Sequence, residues 1–450
     1  MLAKKRRMSD FQQQLAGLRQ RIARINRKYE TEASSAEGEL GITAAAEDAA
    51  VEDDIFRSPG SMRYEARLHA ARTYVEEWLG GDEIETARGK HFETEKLYER
   101  HRRHGAADIG SLADLPHDLL ETISAGSILH VPPEQWAFLD TETTGLSGGT
   151  GTCAFLVGVG RITPEGFRVR QFFMRDYGEE ASLLDALTRH LEPFQVLITY
   201  NGRTFDQPLL ETRYRLNRAR PPFARMEHLD LLYGARRLWK LRFDSCRLVD
   251  LENQVLGVER QGDLPGALIP YVYFEYLRTQ EIARLVPVFH HNATDILTLA
   301  CLTGIVPLAF KDPASAPMRN GAEMAGIARW LREAGELEPA LALFRRAIDA
   351  GLRDELLFRT LWDVAAIERK VGRPESACSL WTDLAASPNA FRVRALEELA
   401  KHYEHREKNL TVALEMTRSA LAHEDSPDLR KRERRLLDRA ASPKSRHLPL

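Results

Sequence analysis

Between about 134 and 310 the chain sets short apolar runs between polar breaks. WAFLDTET, TCAFLVGVGRI and FRVRQFFM read as three strands with short connections, which predicts an antiparallel meander. A helix over about 180–192, the strand VLITYN, a helix over about 204–218 and the strand HLDLL come next. A last helix runs through HHNATDILTLACLTGIV. Strand pairs followed by strand–helix alternation predict a mixed sheet covered by helices.

The flanks carry other patterns. Over 318–424, GELEPALALF, GRPESACSLW and KNLTVALEMT echo one another, with Ala340, Ala377 and Ala413 at matching places. A small residue at that spacing, each time opening an amphipathic helix, resembles tetratricopeptide repeats. In 1–29 a stripe of Phe11, Leu15, Leu18, Ile22 and Ile25 among many Lys and Arg predicts a basic amphipathic helix. Residues 30–59, acidic through 54 with Ala, Ser and Gly between the acids, read as a disordered linker. WLGG, HRRHG and DLPHDLL break 60–133 into helical and irregular pieces expected to pack on the domain that follows. The stretch 425–450 is charged and reads as a mobile tail.

At 450 residues the chain is too long for one core, so two or three domains are expected. A net charge of −3 does not announce a nucleic-acid binder, though a total conceals local patches. Cys153, Cys246, Cys301 and Cys378 show no paired spacing, which argues against disulfides and a thiolate zinc site and fits a reducing compartment. No apolar run approaches the ~20 residues that cross a bilayer. No membrane partner and a cytoplasmic location are expected.

The chemistry centres on FLDTETTGLSGGTGTC (138–153). Its glycine loop has no GK[ST] lysine and leads into a strand rather than a helix, so neither phosphate-loop reading holds. Asp140 and Glu142 are two apart on a strand and project to one face. Side by side they repel, and burying them costs several kcal/mol unless a cation intervenes. An isolated pair would simply face water. Further acids, however, arrive in matching contexts: Asp206 in YNGRTFD after VLITYN, and Asp295 in HHNATDILTL on the last helix. His291, four residues before Asp295, shares its helix face.

DTETTG, NGRTFD and HNATD together resemble the three motifs of the DEDD exonuclease superfamily, in their order and separations. SCRLVDLENQVLGVER (245–260) and DLPGALIP (263–270) are similar to the YprB-like ribonuclease-H-fold family within it. The resemblance implies an α/β domain over 134–312: a ribonuclease-H-like, mixed five-stranded sheet flanked by helices, followed by all-α repeats. It implies that Asp140, Glu142, Asp206 and Asp295 hold two divalent ions, Mg²⁺ or Mn²⁺, which suit hard oxygen ligands. It also implies a general base, a histidine five residues before the last aspartate or a tyrosine four before it; His290 and His291 stand at those two places. HNATD looks more like the tyrosine type with histidine substituted, which favours His291 and leaves His290 as the alternative. Asn201 would position the site with Phe205 packed beneath it, and Thr143, Thr144 and Gly145 would contact a terminal nucleotide. Asp230 is expected to be structural.

Eleven Arg or Lys against five acids between Arg203 and Arg247, with Tyr214, Tyr233 and Trp239 among them, suit the phosphates and bases of a nucleic-acid strand. The expected function is a metal-dependent nuclease on single-stranded DNA or RNA, working 3′→5′, with a protein partner for the repeats. A catalytically silent scaffold and a structure-selective endonuclease are the competing readings.

Overall fold

The computed structural model describes residues 79–145, 151–260, 262–316 and 318–441. They divide into two compact units, meeting in sequence between Met318 and Arg319. The basic helix of 1–29 and the acidic linker of 30–59 lie outside the described residues, as do Gly148 and Gly149 of the glycine loop.

In the first unit the strands are β1 (Gly81–Thr86), β2 (Gly89–Glu99), β3 (Arg103–His104), β4 (Ala107–Asp108), β5 (Trp136–Thr143), β6 (Ala154–Thr163), β7 (Gly166–Phe173), β8 (Val196–Thr199) and β9 (Glu227–Asp230). The helices are α1 (Glu180–Leu191), α2 (Asp206–Leu216), α3 (Leu231–Trp239), α4 (Leu248–Leu251), α5 (Ile269–Thr279), α6 (Val286–Thr303) and α7 (Val306–Lys311). Seven strands make one sheet in the order β1-β2-β7-β6-β5-β8-β9. Pairing is antiparallel from β1 to β5 and parallel for β5-β8 and β8-β9. The expected five-stranded mixed sheet is therefore present as β7-β6-β5-β8-β9, and β1 and β2 extend its antiparallel edge.

That extension corrects the helical or irregular reading of 60–133 for residues 81–99, while residues 60–78 lie outside the described residues. Residues 81–99 form a β-hairpin whose turn ends on Gly89 at φ +120°, a conformation other residues rarely adopt. Its period-two signal is hidden because His91 and Glu93 are buried beside Phe92. Their polar groups are satisfied by one another, by Ser182 and by Arg170.

β5 and β6 read as continuous apolar runs because both of their faces are covered: Trp136 to Leu139 and Ala154 to Gly160 are all buried. Helix α6 packs across β5, β6 and β7. Glycine makes the close approach possible, since a Cβ on Gly160 would stand 2.5 Å from Ile296 Cγ2. By length and composition Ile282–Lys311 could span a bilayer, contrary to the sequence expectation. Most of it is buried inside the unit, so here it serves as core.

The second unit contains, among the described residues, α8 (Gly321–Glu333), α9 (Leu337–Asp349), α10 (Asp354–Lys370), α11 (Pro374–Ala386), α12 (Arg392–His405), α13 (Leu410–Leu421) and α14 (Pro427–Ala441). Ala340, Ala377 and Ala413 are each the fourth residue of the second helix of a pair, and each is fully buried. A larger side chain there would force the paired helices apart.

The mobile-tail reading of 425–450 is corrected for 427–441. Leu429 and Leu436, seven apart on α14, are buried, and three of the surrounding arginines share a partner the local sequence does not show. Glu404 on α12, with no exposed side-chain surface, accepts hydrogen bonds from Arg432 (2.8 Å), Arg435 (2.7 Å) and Arg439 (2.6 Å). Burial pushes the Glu404 carboxyl up, but Arg435, His405 and Arg432 more than offset this and hold it below its ordinary value. A lowered carboxyl pKa contributes stability above the unfolded value near 4.5 and loses it as pH falls through the folded value. Glu404→Gln is expected to cost about 1–3 kcal/mol. Hydrogen exchange should speed up selectively in α14, and the difference from wild type should vanish in acid.

Candidate active site

Asp140 and Glu142 lie near the end of β5, where the register with β6 shifts between Glu142 and Thr143. Asp140 is held from α6: Asn292 Nδ2 donates to its Oδ2 at 2.8 Å. Asn292 is itself fully buried, and its Oδ1 accepts from Gln171 Nε2 at 2.9 Å. A Cβ on Gly158 would stand 2.2 Å from that Oδ1, so this relay requires glycine on β6.

Asp206 opens α2 at the end of a loop that leaves β8. The loop is fastened by Asp230, which is buried and accepts from the backbone N–H of Asn201 (2.8 Å), Arg203 (3.2 Å) and Leu232 (3.2 Å). Asp230 is thus structural, as expected. Asn201 takes the left-handed conformation at φ +68°, and Gly202 lies so close to Thr199 that a Cβ would stand 2.5 Å from it. This turn brings Asp206 back to β5, where Thr141 Oγ1 donates to its Oδ1 at 2.6 Å.

Asp295 sits one turn beyond His291 on α6. His291 Nε2 is 3.6 Å from Asp295 Oδ2, and its Nδ1 is 2.9 Å from Asp263 Oδ1. Asp295 Oδ1 also accepts a hydrogen bond from Arg260. That guanidinium, 9% exposed, meets two more carboxylates: fully buried Glu252 at 2.5 Å and Asp263 at 3.2 Å. Glu252 lies in turn 3.0 Å from His104 Nε2. One arginine thereby contacts three acids around the site, and its single charge offsets only part of theirs.

The four carboxylates recognise one another electrostatically. Burial, then the charges of Asp295, Glu142 and Asp206, push the Asp140 carboxyl well above its usual range. Burial, then Asp295, Asp206 and Asp263, do the same to Glu142. Asp206 is pushed up to about 6, chiefly by burial, with Thr141 opposing. Asp295 is raised by burial and held back by Arg260. Such a cluster is the donor set of a hard divalent cation, all oxygen and all negative. Among the described residues, however, no three acidic, histidine or cysteine side chains are already drawn in closely enough to hold a metal ion. Thr141, Asn292 and Arg260 occupy the oxygens a cation would take. Chemistry and charge fit the ion; closing the ligand shell requires those side chains to yield.

The other expected residues are placed as follows. Thr143 Oγ1 donates to the Gly145 carbonyl and Thr144 Oγ1 accepts from the Cys153 N–H, so both hydroxyls brace the loop. A Cβ on Gly151 would meet open space. Phe205 does not pack beneath the site as expected: it is 53% exposed beside Asp206, because a hydrophobic ring at the start of α2 has no apolar surface to cover. His290 is exposed, whereas His291 faces Asp295. Arg260, Asn292, Glu252 and Asp263 were not assigned roles from the sequence. Three of them do lie in the 245–270 stretches singled out there.

Removing Arg260 should expose how strongly the acids repel. Arg260→Met is expected to cost the metal-free protein about 3–5 kcal/mol, the usual loss when a buried charge loses its partner. Mn²⁺ should restore a larger share of the melting temperature to the variant than to wild type; equal melting without metal would contradict the assignment.

A family model described as the RNase_H superfamily matches residues 137–306. The chain is 36% identical over 287 residues to the uncharacterized protein YprB of Bacillus subtilis (strain 168), covering 63% of this chain and 68% of that one. Among solved structures, a family B DNA polymerase from Pyrobaculum calidifontis aligns at 14% identity with a TM-score of 0.30, over 54% of this chain and 30% of the polymerase. Nucleases of the RNase H fold generally use divalent metals and act on nucleic acid. With its mixed sheet and its identity to YprB, the chain belongs to the YprB family of the RNase H superfamily.

Proposed function

We propose that the chain is a metal-dependent nuclease of the DEDD type, which hydrolyses phosphodiester bonds of single-stranded nucleic acid from the 3′ end. The observation that carries this reading is the convergence of Asp140, Glu142, Asp206 and Asp295. They come from β5, α2 and α6, and the pKa of Asp140 is raised by all three of the others.

On this reading the four carboxylates hold two ions, Mg²⁺ or Mn²⁺. Bound there, the ions would make water nucleophilic near neutral pH and offset charge on the phosphorus centre. His291 is the base. The Asp263 carboxylate can only accept at Nδ1, so Nδ1 carries the ring proton and Nε2 is left as the acceptor beside Asp295. Asp263 acts through His291 as a positioning residue. His290, exposed one position away, is assigned to the substrate rather than to proton transfer. Backbone groups of Thr143, Thr144 and Gly145 line the approach to Glu142, Asn201 orders the loop before Asp206, and exposed Phe205 offers a face for a terminal base. The C-terminal helix pairs present a surface for a protein partner.

The test is incubation of the full chain, with Mn²⁺ and then with EDTA, on end-labelled linear and circular single strands of DNA and RNA. Expected is shortening of a linear strand from its 3′ end, with circles left whole and no cleavage in EDTA. Asp140→Asn should abolish cleavage, and His291→Ala should lower kcat by about 10²–10⁴-fold while leaving the Mn²⁺-induced rise in melting temperature in place. Cleavage that survives EDTA, or persists in Asp140→Asn, would refute the reading.

A further inference from the structure

At the carboxyl ends of β8 and β9 lies an open cavity of about 610 Å³, lined by Arg236, Lys240 and Arg247 among others, with Asp244 as its one carboxylate. Ligands of open α/β sheets bind outside such strand ends. Arg236 on α3 and Lys240, the helical-backbone residue that caps it, are exposed and four apart, and so lie on one helix face where their like charges repel. Among the described residues no carboxylate forms an ion pair with either, whereas Arg247 is neutralised by Asp250 at 2.8 Å. A second cavity, of about 370 Å³, makes the contrast plain. It too is lined by arginines, but Arg161, Arg170 and Arg189 are paired with Glu95, Glu93 and Asp185. Those charges are paired; the cavity over α3 holds two positive charges without an ion-pair partner among the described residues.

Chain connections tie it to the four carboxylates. Asn201 lines the cavity and belongs to the loop that ends in Asp206. The lining segment 244–248 runs on through α4 to Glu252, which grips Arg260. Tyr200, which also lines the cavity, joins that segment by donating from its hydroxyl to the Cys246 carbonyl at 2.5 Å. Tyr233, three residues before Arg236 and 51% exposed, adds an aromatic face at the same stripe.

We propose that this cavity is a backbone-phosphate subsite, in which Arg236 and Lys240 grip a single-stranded nucleic acid beside the four carboxylates and Tyr233 stacks on a base. Unpaired cations on one helix face neutralise successive phosphates, and a neighbouring aromatic ring accepts any base. The nature of the ligand rests on the proposed nuclease function; the binding itself requires no cleavage.

The experiment measures binding of a short fluorescein-labelled single strand of DNA, and of RNA, to the full chain in EDTA over a series of salt concentrations. R236E/K240E is compared with K431E/R434E, an equal charge reversal at exposed positions of α14 in the other unit. Expected for R236E/K240E is at least tenfold weaker binding. Its salt slope should be shallower by about 1.4, the value for two lost phosphate contacts on a single strand at about 0.7 each. K431E/R434E should bind as wild type does. The neutral variant R236Q/K240Q, which introduces no new charge, should show the same slope change and guards against misfolding in the charge reversal. Unchanged affinity and slope in R236E/K240E, or an equal loss in K431E/R434E, would overturn the subsite. Hydrolysis of a thymidine p-nitrophenyl phosphate ester separates the two hypotheses. If the ester is cleaved equally by wild type and R236E/K240E while strand binding is also equal, the subsite falls and the nuclease stands. If nothing is cleaved but binding behaves as expected, the nuclease falls and the subsite stands.

Discussion

The constraint on which this structure turns is the repulsion among carboxylates brought into one pocket. Asp140, Glu142, Asp206 and Asp295 are half-buried, and burial in the neighbourhood of like charge is among the costliest arrangements a fold can make. The protein contains the cost locally. Arg260 meets Asp295, Glu252 and Asp263 together, Asn292 donates to Asp140, and Thr141 donates to Asp206. A pocket so arranged is held short of neutrality, with oxygens that a divalent ion can claim.

The sheet explains why four acids from distant parts of the chain can meet. β5 is the strand at which pairing changes from antiparallel to parallel, so it has the meander on one side and β8 on the other. Its end is therefore adjacent to the loop leaving β8, which delivers Asp206, and it lies under α6, which delivers Asp295. Gly158 and Gly160 let α6 settle close enough for Asn292 to reach Asp140. Packing and chemistry share the same few positions here. A methyl group added at Gly158 would strike the side chain that holds Asp140.

Much of this was legible in the sequence. The meander and the strand–helix alternation follow from periodicity, because β5, β6 and β8 carry apolar runs and β7 alternates, while the acids stand out by their spacing and sequence contexts. The repeated alanines likewise mark the buried fourth positions of α9, α11 and α13. What stayed hidden depends on partners remote in the chain. The hairpin of β1 and β2 buries His91 and Glu93, which only make sense beside Ser182 and Arg170. α14 looks like a solvated tail until Glu404, well upstream, is placed against its arginines. Arg260 belongs to a stretch singled out from the sequence, but its role appears only when Glu252, Asp263 and Asp295 surround it. Phe205 was misjudged for the opposite reason: its expected burial came from the resemblance, and nothing in its local surroundings covers it.

The central claim is that a cation belongs among these four side chains. The most direct measurement is the anomalous diffraction of crystals grown with Mn²⁺. The account predicts density bounded by Asp140, Glu142, Asp206 and Asp295, with at least one carboxylate oxygen given up by its present protein partner. Anomalous density elsewhere, or none at that pocket under saturating Mn²⁺, would contradict it.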